Sequence, residues 1–218
     1  MIVSDIMTKK VITLKEGQTM LEARGVMQRA KVRRLPVVDD EGHVRGIVTD
    51  GDVGRSEPSD ATTLSKQEAI YLLAKIKIEQ IMTKSVITVN EKDPIEVAAN
   101  QLYKNKIDSL PVLNDTGILI GIITDSDIFK AFVDIMGVNK TSTKLTIDAS
   151  DKTGVLADIA NIFKERGINI ISIVSHGIDD DNAEIMIRAD LSHNMDVIEE
   201  IRKAGFVIND ISSFKAVE

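Results

Sequence analysis

Along the 218 residues the spacing of hydrophobic positions changes several times, and the changes recur. After "VIT" at 11–13, apolar side chains fall at Met20, Ala23, Val26 and Met27, the spacing of one helix face. "LPVV" and "GIV" then read as strands joined by the polar turn "DDEGH". Downstream, "VIT" at 86–88 is followed by Ile95, Ala98 and Leu102, then by "LPVL" and "GII" around "NDTGI". Each stretch predicts strand, helix, strand, strand and a closing helix. The proline in each second strand suits an edge or a first position, because proline has no N–H to give to a ladder. Between the stretches, 56–64 ("SEPSDATTL") is rich in loop formers, and 65–77 predicts a helix capped by Ser65 with Glu68 three residues on. Beyond "GVNKTST" at 137–143 the pattern is new. "KLTIDA" reads as a strand, "VLADIANIFKERG" as an amphipathic helix, "INIISIVSHG" and "AEIMIRADL" as strands around "DDDN", "MDVIEEIRKAG" as a helix and "FVINDISSF" as a strand. That order, βαββαβ, is the split βαβ arrangement of ferredoxin-like folds.

Sliding the chain by 75 residues lays "IMTKKVIT" on "IMTKSVIT", Leu35-Pro36-Val37 on Leu110-Pro111-Val112 and "GIVTD" on "GIITD", with about twenty of the fifty-odd paired positions identical. The first part of the chain is therefore a duplicated unit. Two half-covered sheets bury their faces by packing on each other about a pseudo-two-fold axis, which implies a cleft at the seam.

The repeat also carries candidate chemistry. Gly46 and Gly121 suit a close backbone approach at the start of a strand. Thr49 and Thr124 place a hydroxyl where strand gives way to helix, and Asp52 and Asp127 follow one turn later. A hydroxyl beside free helix N–H groups can seat a phosphate, and a carboxylate can accept the two hydroxyls of a ribose. Taken locally, the same T-x-x-D spacing is equally a helix cap with its return partner. Arg33 and Arg34 precede the first "LPVV" and Arg55 follows Asp52, whereas Asp108, Ser109 and Lys130 stand at the matching second-copy positions. The two clefts are thus expected to differ, the first favouring phosphate, unless these arginines are solvated or pair with Asp39, Asp40 and Glu41.

Composition narrows the classes. The 43% hydrophobic content fits a packed core, and the absence of cysteine rules out disulfides, thiolate metal sites and cysteine nucleophiles. The formal charge of −7 is uneven, with 19 basic and 20 acidic residues in 1–140 against 8 and 14 in 141–218. A net-negative chain with two tyrosines, five phenylalanines and no tryptophan lacks the field and stacking platforms of a nucleic-acid binder. No apolar run is long enough to span a membrane and the first residues do not resemble a signal peptide, so a cytoplasmic location is expected. There is no G-x-S-x-G, P-loop or dinucleotide fingerprint, and His43, His176 and His193 lie far apart, so no catalytic residue is assigned. The run Asp179-Asp180-Asp181 lacks the alternating ligands and distant glutamate of a calcium loop; it reads as a solvated turn, and no metal site is assigned.

The doubled "IMT…VIT", "LPVV/LPVL" and "G-h-h-T-x-x-D" elements resemble a tandem pair of CBS domains, and "DASDKTGVLADIANIFKERGINI" at 148–170 resembles the opening of an ACT domain. Two CBS units followed by one ACT unit are similar to the acetoin utilization protein family. The resemblance implies an α+β chain: CBS domain 1 at 1–60, a connecting loop and helix at 61–77, CBS domain 2 at 78–136, a linker at 137–143 and a ferredoxin-like ACT domain at 144–218. It implies a non-catalytic regulator that binds an adenine nucleotide (ATP, ADP or AMP) or S-adenosylmethionine. In this family base contacts come from the first strands, here 11–13 and 86–88. The nucleotide-binding candidates are Ile12, Thr13, Arg33, Arg34, Thr49, Asp52 and Arg55 with Ile87, Thr88, Ser109, Thr124 and Asp127. In the ACT unit Asp151, Gly154 and Asn169 match positions that contact amino-acid effectors in ligand-binding relatives. CBS pairs and ACT sheets commonly pair between chains, which implies a homodimer or larger homo-oligomer and a target protein that the sequence does not name. The alternative is a scaffold of the same folds with empty clefts.

Overall fold

The computed structural model describes residues 1–56, 66–150, 152–179 and 181–215. Ser65, Asp151, Asp180 and most of the 56–64 loop, all named above, lie outside the described residues. The chain divides into two compact units, Met1–Ile128 and Phe129–Glu218.

In the first unit the duplication is visible element by element. The first copy has β1 (Leu14–Lys15), α2 (Met20–Ala30), β2 (Arg34–Val38), β3 (Val44–Thr49) and α3 (Asp50–Ser56); a four-residue helix α1 (Val3–Ile6) precedes them and α4 (Lys66–Leu73) follows. The second copy has β4 (Val89–Asn90), α5 (Ile95–Asn105), β5 (Ser109–Leu113), β6 (Leu119–Thr124) and α6 (Asp125–Ile135), whose last turns fall in the second unit. Each copy forms a three-stranded sheet with the "LPV" strand in the middle, parallel to the first strand and antiparallel to the third. The helix α2 starts where Thr19 accepts from the Glu22 N–H and Glu22 returns to the Thr19 N–H, and its apolar face buries Met20, Ala23 and Met27. Met20, Ala23 and Met27 form one core with Leu14, Leu35 and Val48; Ala98 and Leu102 form the twin core with Val89, Leu110 and Ile123.

Three expectations are adjusted. The paired first strands begin at Leu14 and Val89, just after each "VIT", because the buried Leu14 and Val89 are the residues in register with Val37 and Val112. Pro36 and Pro111 stand in central strands, tolerated because the short first strands pair only with the two residues beyond each proline. The linker helix ends at Leu73, and a 3₁₀ turn at Ile78–Gln80 completes the connection.

The second unit contains β7 (Ser142–Ser150), α7 (Val155–Glu165), β8 (Ile170–Gly177), β9 (Asn182–Ala189), α8 (Val197–Lys203) and β10 (Val207–Phe214). Its antiparallel sheet runs β10-β7-β9-β8, the order that a βαββαβ chain takes when both halves cross over. Alternate residues Leu145, Ile147, Ile185 and Ile187 point to one face and are sealed by Ile159 and Phe163 of α7 and Ile198 and Ile201 of α8.

Candidate functional site

The site begins with an exchange between the copies. The "IMT" segment of the first copy packs in the second: Val3 is wholly buried in the second core, and Thr8 and Ile122 exchange backbone hydrogen bonds of 2.9 and 3.0 Å. The second "IMT" returns the arrangement, with Ile78 buried in the first core and Thr83 bonded to Ile47 in both directions at 2.9 and 3.0 Å. The repeated glycines serve this crossing. A side chain at Gly121 would strike Met7, and one at Gly46 would strike Met82 and come within 3.1 Å of the Thr83 carbonyl oxygen.

Having passed along β6, the chain at 9–12 runs back to its own copy and leaves a cleft of about 440 Å³ between the copies. It is lined by Thr8, Lys10, Val11, Ile12, Val32, Arg33, Arg34 and Pro36 from the first copy and by Asp108, Ile122, Thr124, Asp125 and Ser126 from the second. The volume lies within the range of small-molecule sites, roughly 300–1,000 Å³. Val11, Ile12, Val32, Pro36 and Ile122 supply apolar wall, while Thr124 and the head of α6 supply polar groups.

Of the sequence candidates, Ile12, Arg33, Arg34 and Thr124 come together in this cleft; Thr13, Thr49, Asp52, Arg55, Ile87, Thr88, Ser109 and Asp127 do not line it. The expected grouping of charges is corrected. Arg33 and Arg34 share a cleft with Asp108 and with the second copy's threonine, because the crossing segments build the cavity from both copies. Arg34 is ion-paired with the Asp108 carboxylate, and its Nη1 reaches the Asp108 carbonyl oxygen at 3.4 Å. Asp39 instead pairs with Arg45 at 3.0 Å and Asp40 with Lys15 at 3.4 Å, so neither holds Arg33, Arg34 or Arg55. Lys10, Val32, Asp125 and Ser126 were not singled out from the sequence; their signal was adjacency to Ile12, Arg33 and Thr124.

Both T-x-x-D pairs form reciprocal caps. Thr49 N–H and Oγ1 donate to Asp52 Oδ2, each at 2.8 Å, and the Asp52 N–H donates to Thr49 Oγ1 at 3.1 Å. Thr124 and Asp127 repeat the pattern at 2.9, 2.8 and 3.2 Å. The copies differ at the second oxygen. Asp52 Oδ1 is taken by Arg55, whereas Asp127 Oδ1 has no protein partner among the described residues.

In the second unit Gly154, with φ 98°, precedes α7 and lines a cavity of about 320 Å³ with Ser150, Lys152, Val155, Leu156, Ser175 and Ile185. Asn169 is exposed and does not line it. Among the described residues one cluster could offer metal ligands, Asp39, Glu41 and His43. Burial raises the Asp39 carboxyl, but hydrogen bonds from the His43 N–H and the charge of Arg45 outweigh it and hold it below its ordinary range. Its Oδ1 already accepts from the N–H groups of Glu41 and His43 at 3.1 and 2.8 Å, the geometry of a capped turn.

Comparison with known proteins agrees with this architecture. The CBS-domain family model matches residues 3–56 and 78–134, and the ACT-domain model matches 143–213. The chain belongs to the CBS-domain family and carries a C-terminal ACT domain. It is 30% identical to the CBS pair of protein MJ0100, solved in complex with 5′-methylthioadenosine and S-adenosyl-L-methionine, over 61% of this chain and 95% of that one, with a TM-score of 0.50. It is also 30% identical to CBSX2, solved with AMP (62% of this chain, 98% of that one, TM-score 0.51). A putative acetoin utilization protein from Vibrio cholerae is 28% identical over 63% of this chain and 94% of its own, with a TM-score of 0.52. The chain spans about a quarter to a third of the length of curated relatives that carry enzyme names. One is the L-aspartate semialdehyde sulfurtransferase of Methanocaldococcus jannaschii, 30% identical over 131 residues that cover 60% of this chain and 23% of that one. Among the described residues no helix is long and apolar enough to cross a membrane.

Proposed function

We propose that this chain is a regulatory sensor that binds an adenosyl compound, an adenine nucleotide or S-adenosylmethionine, in the cleft between its CBS copies. The observation that carries the reading is the composite cleft itself. Its apolar strip at Val11, Ile12 and Pro36 suits a planar base, and Lys10, Arg33 and Arg34 supply cationic donors for a charged ribose 5′ substituent. The adenosyl ligands of the MJ0100 and CBSX2 structures support the same class. Asp127 stands behind the cleft wall and holds the N–H and hydroxyl of Thr124, which lines it. In this reading the ACT unit joins two chains or takes an amino-acid effector beside Gly154, and the output goes to another protein, with the Vibrio cholerae likeness favouring one involved in acetoin use.

Equilibrium dialysis of purified protein against adenosine, AMP, ADP, ATP and S-adenosylmethionine tests the proposal. Saturable binding of at least one compound at one site per chain, or at two given the duplication, is expected. If none binds at millimolar concentration, the chain is an interaction scaffold.

A further inference from the structure

We propose that the Arg34–Asp108 ion pair selects the ligand of this cleft, setting it for an adenosyl compound whose 5′ substituent carries an anion and a cation together, in preference to a polyphosphate. The inference rests on the adenosyl reading above and adds the basis of discrimination to it.

The two partners are held unequally. The Arg34 side chain is 17% exposed and the Asp108 side chain 57%, so the guanidinium belongs to the wall and the carboxylate to the rim. Arg34 Nε is buried without a hydrogen-bond partner, and Asp108 takes one N–H each from Nη1 and Nη2, so the guanidinium keeps donors that Asp108 does not use. An arginine in that condition gains from an additional acceptor. Asp108 competes with any anion that approaches, and Asp125 adds a second carboxylate to the lining.

Two ways of opening the pair have different consequences. A ligand carrying a carboxylate and an ammonium gives Arg34 a new anion and Asp108 a new cation, so no charge is left unmatched. A phosphate chain also satisfies Arg34 but leaves Asp108 and Asp125 facing further negative charge. Repulsion of that kind separates ligands that share every other contact. The arrangement is confined to one side of the pseudo-two-fold axis: the 75-residue shift maps Arg34 onto Ser109 and Asp108 onto Arg33, so the equivalent pair has no acid. Lys10 and Arg33 keep the cleft attractive to one negative group.

Calorimetry on the full chain with adenosine, S-adenosylmethionine, AMP and ATP tests this. Wild type should bind S-adenosylmethionine at least about tenfold more tightly than ATP, a gap of about 1.4 kcal/mol. Asp108→Asn should lower the ratio of the two affinities by about tenfold or more while leaving adenosine within about twofold. Asp108→Ala, at the same exposed position, should do the same. Arg34→Gln should weaken both charged ligands and spare adenosine. Tighter binding of ATP than of S-adenosylmethionine by wild type, or equal factors for both ligands in the Asp108 variants, overturns the selector. Failure of every compound, adenosine included, to bind wild type removes the adenosyl reading itself. Adenosine binding without charge discrimination removes only the inference made here.

Discussion

The carboxylates of Asp52 and Asp127 each hold a threonine N–H and hydroxyl through one oxygen, and they differ in what the other oxygen meets. Replacing either by alanine removes a helix cap, so both variants should lose stability, by about 1 kcal/mol each. Only Asp127→Ala should also lose adenosine affinity, because Asp127 holds Thr124, which lines the cleft, whereas the Thr49 held by Asp52 does not line it. Loosening one hydrogen-bonding group of the wall costs about 0.5–1.5 kcal/mol, a factor of roughly two to ten. Thermal melts and calorimetry on the two variants separate the roles, and an equal binding loss in Asp52→Ala would count against the assignment. Asp39 provides a second test at this scale. Its folded pKa lies below the ordinary value, so its contribution is present above the unfolded pKa and fades as pH falls through the folded one. Asp39→Asn should therefore flatten the acid limb of a urea-denaturation series below about pH 4. An unchanged limb would show that the turn's hydrogen bonds do not depend on the charge.

At the scale of elements, the duplicated strands, helices and turns were legible because period and turn chemistry are local properties of each copy. The exchange of the "IMT" segments was not legible. Both copies offer these residues nearly the same apolar surroundings, so Met7 beside Gly121 and Met7 beside Gly46 leave the same trace in the sequence. The place of Asp108 beside Arg33 and Arg34 is hidden by that same ambiguity, since the sequence of a copy does not show which cleft its residues enter. The βαββαβ order of the last part was legible because that part occurs once, so no second copy offers its segments an alternative place. The exchange predicts unequal costs for two matched substitutions. Gly121→Ala meets only the flexible Met7 side chain, whereas Gly46→Ala meets Met82 and also the Thr83 backbone oxygen at 3.1 Å. Overpacking of this kind costs about 1–3 kcal/mol, and Gly46→Ala should lie at the upper end. Met7→Ala should relieve Gly121→Ala in a double-mutant cycle with a coupling of about 0.5 kcal/mol or more. Additive effects would mean that Met7 does not pack there.

For the whole molecule, the question is what the two units do separately. The cores around Leu35 and Leu110 lie within residues 3–123, and the core around Phe163 lies within 145–201. Each unit thus has its own interior, the condition for independent folding. A chain ending at Gly137 keeps every residue that lines the cleft and should bind adenosine or S-adenosylmethionine within about threefold of the full chain. Assembly should respond differently. The first unit exposes Tyr71 (60%) and Tyr103 (84%), and the second exposes Phe129 (69%), Phe132 (54%) and Leu156 (44%). Large apolar side chains left open in both units suit contacts with a second copy, and closed symmetric pairing is the commonest way to cover them. Light scattering at micromolar concentration should give the full chain at least twice its 23.9 kDa mass, and the chain ending at Gly137 a different stoichiometry. A monomer for the full chain would end the dimer proposal, and a folded truncation that loses the adenosyl ligand would end the division of labour between the units.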